Sequence, residues 1–169
     1  MKQSPRTKSP KMVAAGKKAA VTRKRRRAVK KAIRTARWAT TMTKWLLTRT
    51  SARPKWQLVD FAGPGGRESV GIVDVLAIRK DHSPPPEGLK RGDLFQTVLF
   101  QIKGGSAQWP TVDDIDRLRR VARYHRATRV VLAEWKKGKQ PTFFGLKKGS
   151  PRDNNRRSRW EEIADVNEL

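Results

Sequence analysis

No carboxylate occurs in the first 59 residues of this 169-residue chain, while nineteen lysines and arginines do. A stretch charged in one sense only has no counter-charges to pair, and its side chains repel one another, so most of it cannot build a core of its own. The first acid is Asp60, and all fifteen acids lie from there onward. Of the formal net charge of +25, the first 59 residues carry +19. The charge is therefore concentrated on one part of the chain. Such an attachment gains free energy by displacing counterions from a polyanion, whatever the base sequence. DNA is the expected partner, RNA is a second candidate, and an anionic membrane surface is the rival. No apolar run approaches the roughly 20 residues needed to span a bilayer, so a membrane partner is not expected. The basic start lacks the apolar stretch of a secretory signal, although freedom from acid is a trait shared with organelle transit peptides. The expected setting is cytoplasmic and nucleic-acid-associated.

Residues 1–12 mix Ser, Pro, Lys and Arg without periodicity and are predicted to be disordered. Residues 13–37 are rich in Ala, Lys and Arg, which favour helix. That segment is expected to become helical where a phosphate backbone neutralises it. Its candidate phosphate contacts are Arg23, Lys24, Arg25, Arg26, Arg27, Lys30, Lys31 and Arg34. Val29, Ile33, Trp38, Met42, Trp45 and Leu46 recur at near-helical spacing and predict a helix over about 28–49. Trp38 and Trp45 share one face of it and read as core. The expected division is a basic nucleic-acid-binding arm over 1–37, an α/β domain over 38–147, and a C-terminal tail over 148–169 with a short helix around Trp160–Val166.

Within the domain, Trp56–Phe61, Val70–Ile78 and Leu94–Lys103 read as strands, separated by the turn at Gly63–Gly66 and the triple-proline loop 81–93. A helix over 111–127 follows. Thr111 is its N-cap, and Asp114 stands where a capping box places its acid. Val130–Trp135 is a strand, and Thr142–Leu146 a candidate final one. The order is helix, three-stranded meander, helix, strand, an α/β arrangement.

The chain has no cysteine and only two histidines, His82 and His125, which excludes disulfides, thiolate metal sites, cysteine nucleophiles and histidine-rich metal centres. Chemistry is left to oxygen and ammonium groups. Asp74 interrupts an apolar strand, and Gln101-Ile102-Lys103 ends the next one. Burying a carboxylate or ammonium without a partner is costly, so groups placed at comparable levels of two strands are expected to meet. Gln101 and Lys103 are two apart and project from one face, while Ile102 points to the other. The bland alternative is a structural Asp74–Lys103 ion pair.

Those residues, in Ile72-Val73-Asp74-Val75-Leu76 and Phe100-Gln101-Ile102-Lys103, together with the helix 111–127 and strand 130–135, resemble the PD-(D/E)XK nuclease superfamily. The resemblance covers about residues 38–135. The Gln form of the second motif is similar to the Mrr-like and archaeal Holliday-junction-resolvase-like branch. It implies a restriction-endonuclease-like core and a Mg²⁺- (or Mn²⁺-) dependent endonuclease that hydrolyses phosphodiester bonds. It implies that Asp74 is the principal metal ligand, that Gln101 and the backbone carbonyl of Ile102 add oxygen ligands, and that Lys103 activates the attacking water and stabilises the transition state. The chain departs from the pattern by having no acid on the first helix, a role for which Glu68 is the substitute at hand. Many nucleases of that superfamily dimerise, so a homodimer is compatible with the resemblance, although no interface is legible.

Two further readings stay open. One is a non-catalytic DNA-binding or nucleoid-associated protein with a degenerate nuclease fold, motivated by the incomplete acid set. The other is an RNA-binding basic protein.

Overall fold

The structure, a computed structural model, describes residues 10–51, 53–61, 71–149 and 155–165. Its elements in chain order are α1 (Pro10–Thr50), β1 (Gln57–Asp60), β2 (Val75–Lys80), β3 (Phe95–Gly104), α2 (Val112–Tyr124), β4 (Arg129–Trp135), β5 (Thr142–Leu146) and β6 (Trp160–Ile163). The chain divides into two compact units, one up to Arg34 and one from Thr35 onward.

In the first unit the helix begins at Pro10, far ahead of residue 28, where apolar periodicity alone places it. Periodicity marks only a packed face. Ala, Lys and Arg sustain a helix without one, and proline is tolerated in a first turn. Every side chain from Lys17 to Arg34 is exposed, including Val29 and Ile33.

The second unit is a six-stranded sheet in the order β1-β2-β3-β4-β5-β6. The first three strands form the expected antiparallel meander. β4 lies parallel to β3, which requires a crossover, and α2 supplies it. β5 and β6 follow antiparallel.

Strand alternation sends successive side chains to opposite faces. One face carries Val75, Ala77, Val98, Phe100, Val131 and Ala133, packed with Ala39 and Leu47 of α1. The other carries Leu99, Val130 and Leu132, packed with Ile115 and Leu118 of α2. Strands β3 and β4 are buried on both faces, which is why their sequences are nearly continuous apolar runs.

Two expectations need correction. Trp38 and Trp45 are not core; they are 49% and 50% exposed. The buried line of α1 is Ala39, Thr43 and Leu47, spaced four apart, and both indoles sit at its margins. Trp38 meets the Trp135 ring edge-on at 5.2 Å, and Arg49 lies over Trp45. The second correction concerns residues 160–163, which form β6 and not a short helix. Trp160 is opposite Leu146 and Ile163 opposite Phe143. Both are partly or fully buried while Glu161 and Glu162 face solvent. The tail thus supplies the last strand of the sheet.

Gly104, at the end of β3, lies where α1 comes close. A Cβ there would stand 3.0 Å from the Thr35 carbonyl oxygen and 3.1 Å from the Ala39 Cβ. Gly105 follows with φ +67°, a conformation glycine adopts at little cost. The pair lets β3 pass under the helix and turn directly after Lys103.

Candidate active site

Asp74 stands immediately before β2. Its amide donates to the Phe100 carbonyl at 2.8 Å, although Phe100 is already the partner of Val75 in the ladder. The pairing is therefore displaced by one residue at Asp74. Displacements of this kind re-aim a side chain. Here the Asp74 carboxylate turns toward β3 and accepts a hydrogen bond from the Ile102 amide. Asp74 is thereby brought beside the 101–103 segment.

Gln101 and Lys103 follow Leu99 at intervals of two on β3 and share its face, the one covered by α2. Gln101 is 5% exposed, and its Oε1 has no hydrogen-bond partner. A buried amide oxygen left in that state costs about 1–3 kcal/mol. Lys103 is half-buried. No ion pair between it and Asp74 occurs among the described salt bridges. The charge of Lys103 acts on Asp114 in the first turn of α2.

Asp114 belongs to the helix cap. Its carboxylate accepts from the Thr111 amide at 3.0 Å and the Thr111 hydroxyl at 2.8 Å, and its own amide donates back to that hydroxyl. The capping box is complete. These hydrogen bonds, aided by the charges of Lys103 and Arg117, hold the Asp114 carboxyl below its ordinary value.

Sequence reasoning missed Glu134. It lies on β4 directly opposite Lys103, and its side chain is 12% exposed. It accepts from the Trp109 indole N–H at 2.7 Å and pairs with Lys136 at 2.8 Å. Burial pushes its carboxyl up. The hydrogen bonds from Lys136 and Trp109, with the charges of Lys136 and Arg157, outweigh burial and hold it below the usual range. The signal was present, because Glu134 interrupts the apolar run VVLAEW as Asp74 interrupts its own.

The chain matches no protein-family model, no curated protein and no solved structure. The site is therefore read from its own geometry.

Among the described residues, no three His, Cys, Asp or Glu side chains come together as a metal cage. The oxygen donors offered here by β3 and the residue before β2 are the Asp74 carboxylate, the orphaned Gln101 Oε1 and the backbone around Ile102. This set suits a hard cation that takes oxygen ligands and keeps several waters, as Mg²⁺ does. The orphaned oxygen fits such a group because coordination would satisfy it. Glu68 lies outside the described residues.

Arg23, Lys24, Arg25, Arg26, Arg27, Lys30, Lys31 and Arg34 are exposed on α1. Ser106 and Gln108 are exposed just past β3, His125 is the exposed C-cap of α2, and Trp109 is packed. Two hollows of the second unit are not lined by Asp74, Gln101 or Lys103. One, of about 460 Å³, borders Trp109 and Glu134, and a larger one lies beside the C-terminal half of α2. No described helix is long and apolar enough to cross a membrane.

Proposed function

We propose that the chain is a Mg²⁺- or Mn²⁺-dependent DNA endonuclease with a restriction-endonuclease-like core, anchored on its substrate by the basic arm. One observation carries this reading. A carboxylate, Asp74, is re-aimed beside a strand whose next inward groups are a buried, partnerless amide oxygen and a lysine. The element order and the parallel β3–α2–β4 crossover support it.

Asp74 and Gln101 would hold the cation through carboxylate and amide oxygens, with the Ile102 carbonyl as a further donor. A bound divalent ion supplies charge neutralisation at the phosphate and a more acidic water. The Lys103 ammonium can donate to a phosphate oxygen as negative charge builds in the transition state. The exposed cations of α1 add affinity without base recognition.

The test is incubation of the full chain with plasmid, linear and branched DNA in Mg²⁺ or Mn²⁺. Cleavage lost in both Asp74→Ala and Lys103→Ala supports the reading, whereas cleavage that survives both ends it.

A specific observation favours a second reading. Asp74 already satisfies the Ile102 amide, and no three-residue cage of His, Cys, Asp or Glu forms among the described residues. A DNA- or RNA-binding protein that retains the fold without cutting would show steep salt dependence and no metal-dependent product.

A further inference from the structure

The larger hollow, of about 890 Å³, lies between the C-terminal half of α2, the start of β4, and the β5–β6 edge. Its floor is apolar, with Ala122, Val130 and Leu146 among the lining side chains. Its walls carry Arg119, Arg120, Arg123, Arg129, Lys147 and Lys148; Arg159 is not among them, and two groups of these basic residues differ in role.

Arg119 and Arg159 are engaged in construction. Arg119 is mostly buried and pairs with Asp116 at 3.4 Å. It also donates to the carbonyls of Lys147 and Gly149, which fastens the segment after β5 to α2. Arg159 is 5% exposed and pairs with the same Asp116 at 3.3 Å. Its carbonyl accepts from the Lys147 amide at 3.0 Å. Both anchors fix the backbone that carries Lys147 and Lys148.

Arg120, Arg123, Lys147 and Lys148 form the second group. All four line the hollow and are exposed. They belong to two segments that Arg119 holds together, so their spacing is set by the fold and not by chance encounter of flexible side chains. Of the acids here, Asp116 is neutralised by two arginines, which leaves Glu161 and Glu162 on β6 as the opposing charge.

We propose that this cleft is a second nucleic-acid phosphate-binding surface, carried by the folded domain and independent of the α1 cations. The inference rests on the nucleic-acid reading above and extends it to a track. Asp114, beside Lys103, and Arg120 to Arg123 are on the same helix, six to nine residues apart, or about 9–14 Å along its axis. That span equals the axial rise of about three to four base pairs, at roughly 3.4 Å each, for a duplex lying along α2. A backbone gripped by Arg120, Arg123 and Lys148 therefore extends to the level of the Lys103 end of α2. The floor is apolar, which suits sugar and base edges beside the phosphates.

The experiment measures binding of the full chain to a short DNA duplex, in EDTA, over about 50 to 200 mM salt. Chelation removes cleavage from the readout. Arg120→Gln/Arg123→Gln/Lys148→Gln is compared with Lys80→Gln/Lys90→Gln/Arg91→Gln, three exposed cations outside the cleft. The cleft variant is expected to lower the log–log salt slope by about 2.7, so its affinity loss over the fourfold salt range is about forty-fold smaller than that of the parent chain. The charge-preserving Arg120→Lys/Arg123→Lys/Lys148→Arg is expected to keep the parent slope, which shows that the loss is not unfolding. An unchanged slope in the cleft variant overturns the proposal, as does an equal drop in the Lys80 control set. If only polyglutamate binding falls and DNA binding does not, the cleft takes an acidic peptide and the proposal is likewise wrong. A parent chain that binds no DNA overturns the nucleic-acid reading itself, while a binding parent with an insensitive cleft overturns this surface alone.

Discussion

The carboxylate of Asp74 accepts a hydrogen bond from the amide of Ile102, the residue between Gln101 and Lys103 on the adjacent strand. This bond both fastens β2 to β3 and places the acid at the candidate site. Asp74→Ala is expected to lose stability of about 1–3 kcal/mol, because the Ile102 N–H is stranded, and to lose metal-dependent cleavage. Asp74→Asn can still accept from that N–H through its amide oxygen. It is expected to retain most of the stability while losing cleavage. Paired denaturant melts and plasmid assays separate the two roles.

Gln101 should show the opposite balance. Its buried Oε1 has no partner, so Gln101→Met removes an unmet polar group at similar volume. The metal-free protein is expected to melt higher, by up to the equivalent of about 1–3 kcal/mol, and to be inactive. A variant that is both less stable and fully active would contradict the assigned role.

Thr43 is fully buried and accepts from the Trp135 indole N–H at 2.7 Å. Thr43→Val keeps the shape and removes the acceptor. Its expected cost is about 1–3 kcal/mol, read as a fall in the urea midpoint, with nucleic-acid binding unchanged at temperatures where the protein stays folded.

Glu134 gives a pH signature. Its folded carboxyl lies below its ordinary value. The stability it contributes is therefore complete above the ordinary carboxylate range, about pH 4, and is lost as the pH falls through the lower folded value. Glu134→Gln is expected to flatten that part of the acid limb. Melts between about pH 2 and 6 check this, and an identical limb in parent and variant would be the wrong result.

Much of the second unit was legible because local signals agreed. The triple proline bounded β3, Thr111 and Asp114 announced α2, and mainly apolar runs marked β3 and β4. The convergence at the site was legible through the two polar interruptions at Asp74 and Gln101–Lys103. Three features were not. β6 has only two apolar residues, Trp160 and Ile163, and exists because β5 offers an edge to pair with. The start of α1 follows helix propensity, which apolar periodicity does not register. The orphaned state of Gln101 is a tertiary fact, since only packing decides whether an amide oxygen meets a donor.

The most direct measurement is Mn²⁺ binding to the full chain, counted by electron paramagnetic resonance, with parent, Asp74→Ala and Gln101→Met proteins compared at equal ionic strength. The expected result is one site in the parent that weakens at least about ten-fold in each variant, about 1.4 kcal/mol or more of lost binding free energy. A parent that binds no Mn²⁺, or variants that bind it as well as the parent, would contradict a divalent-metal site at Asp74 and Gln101.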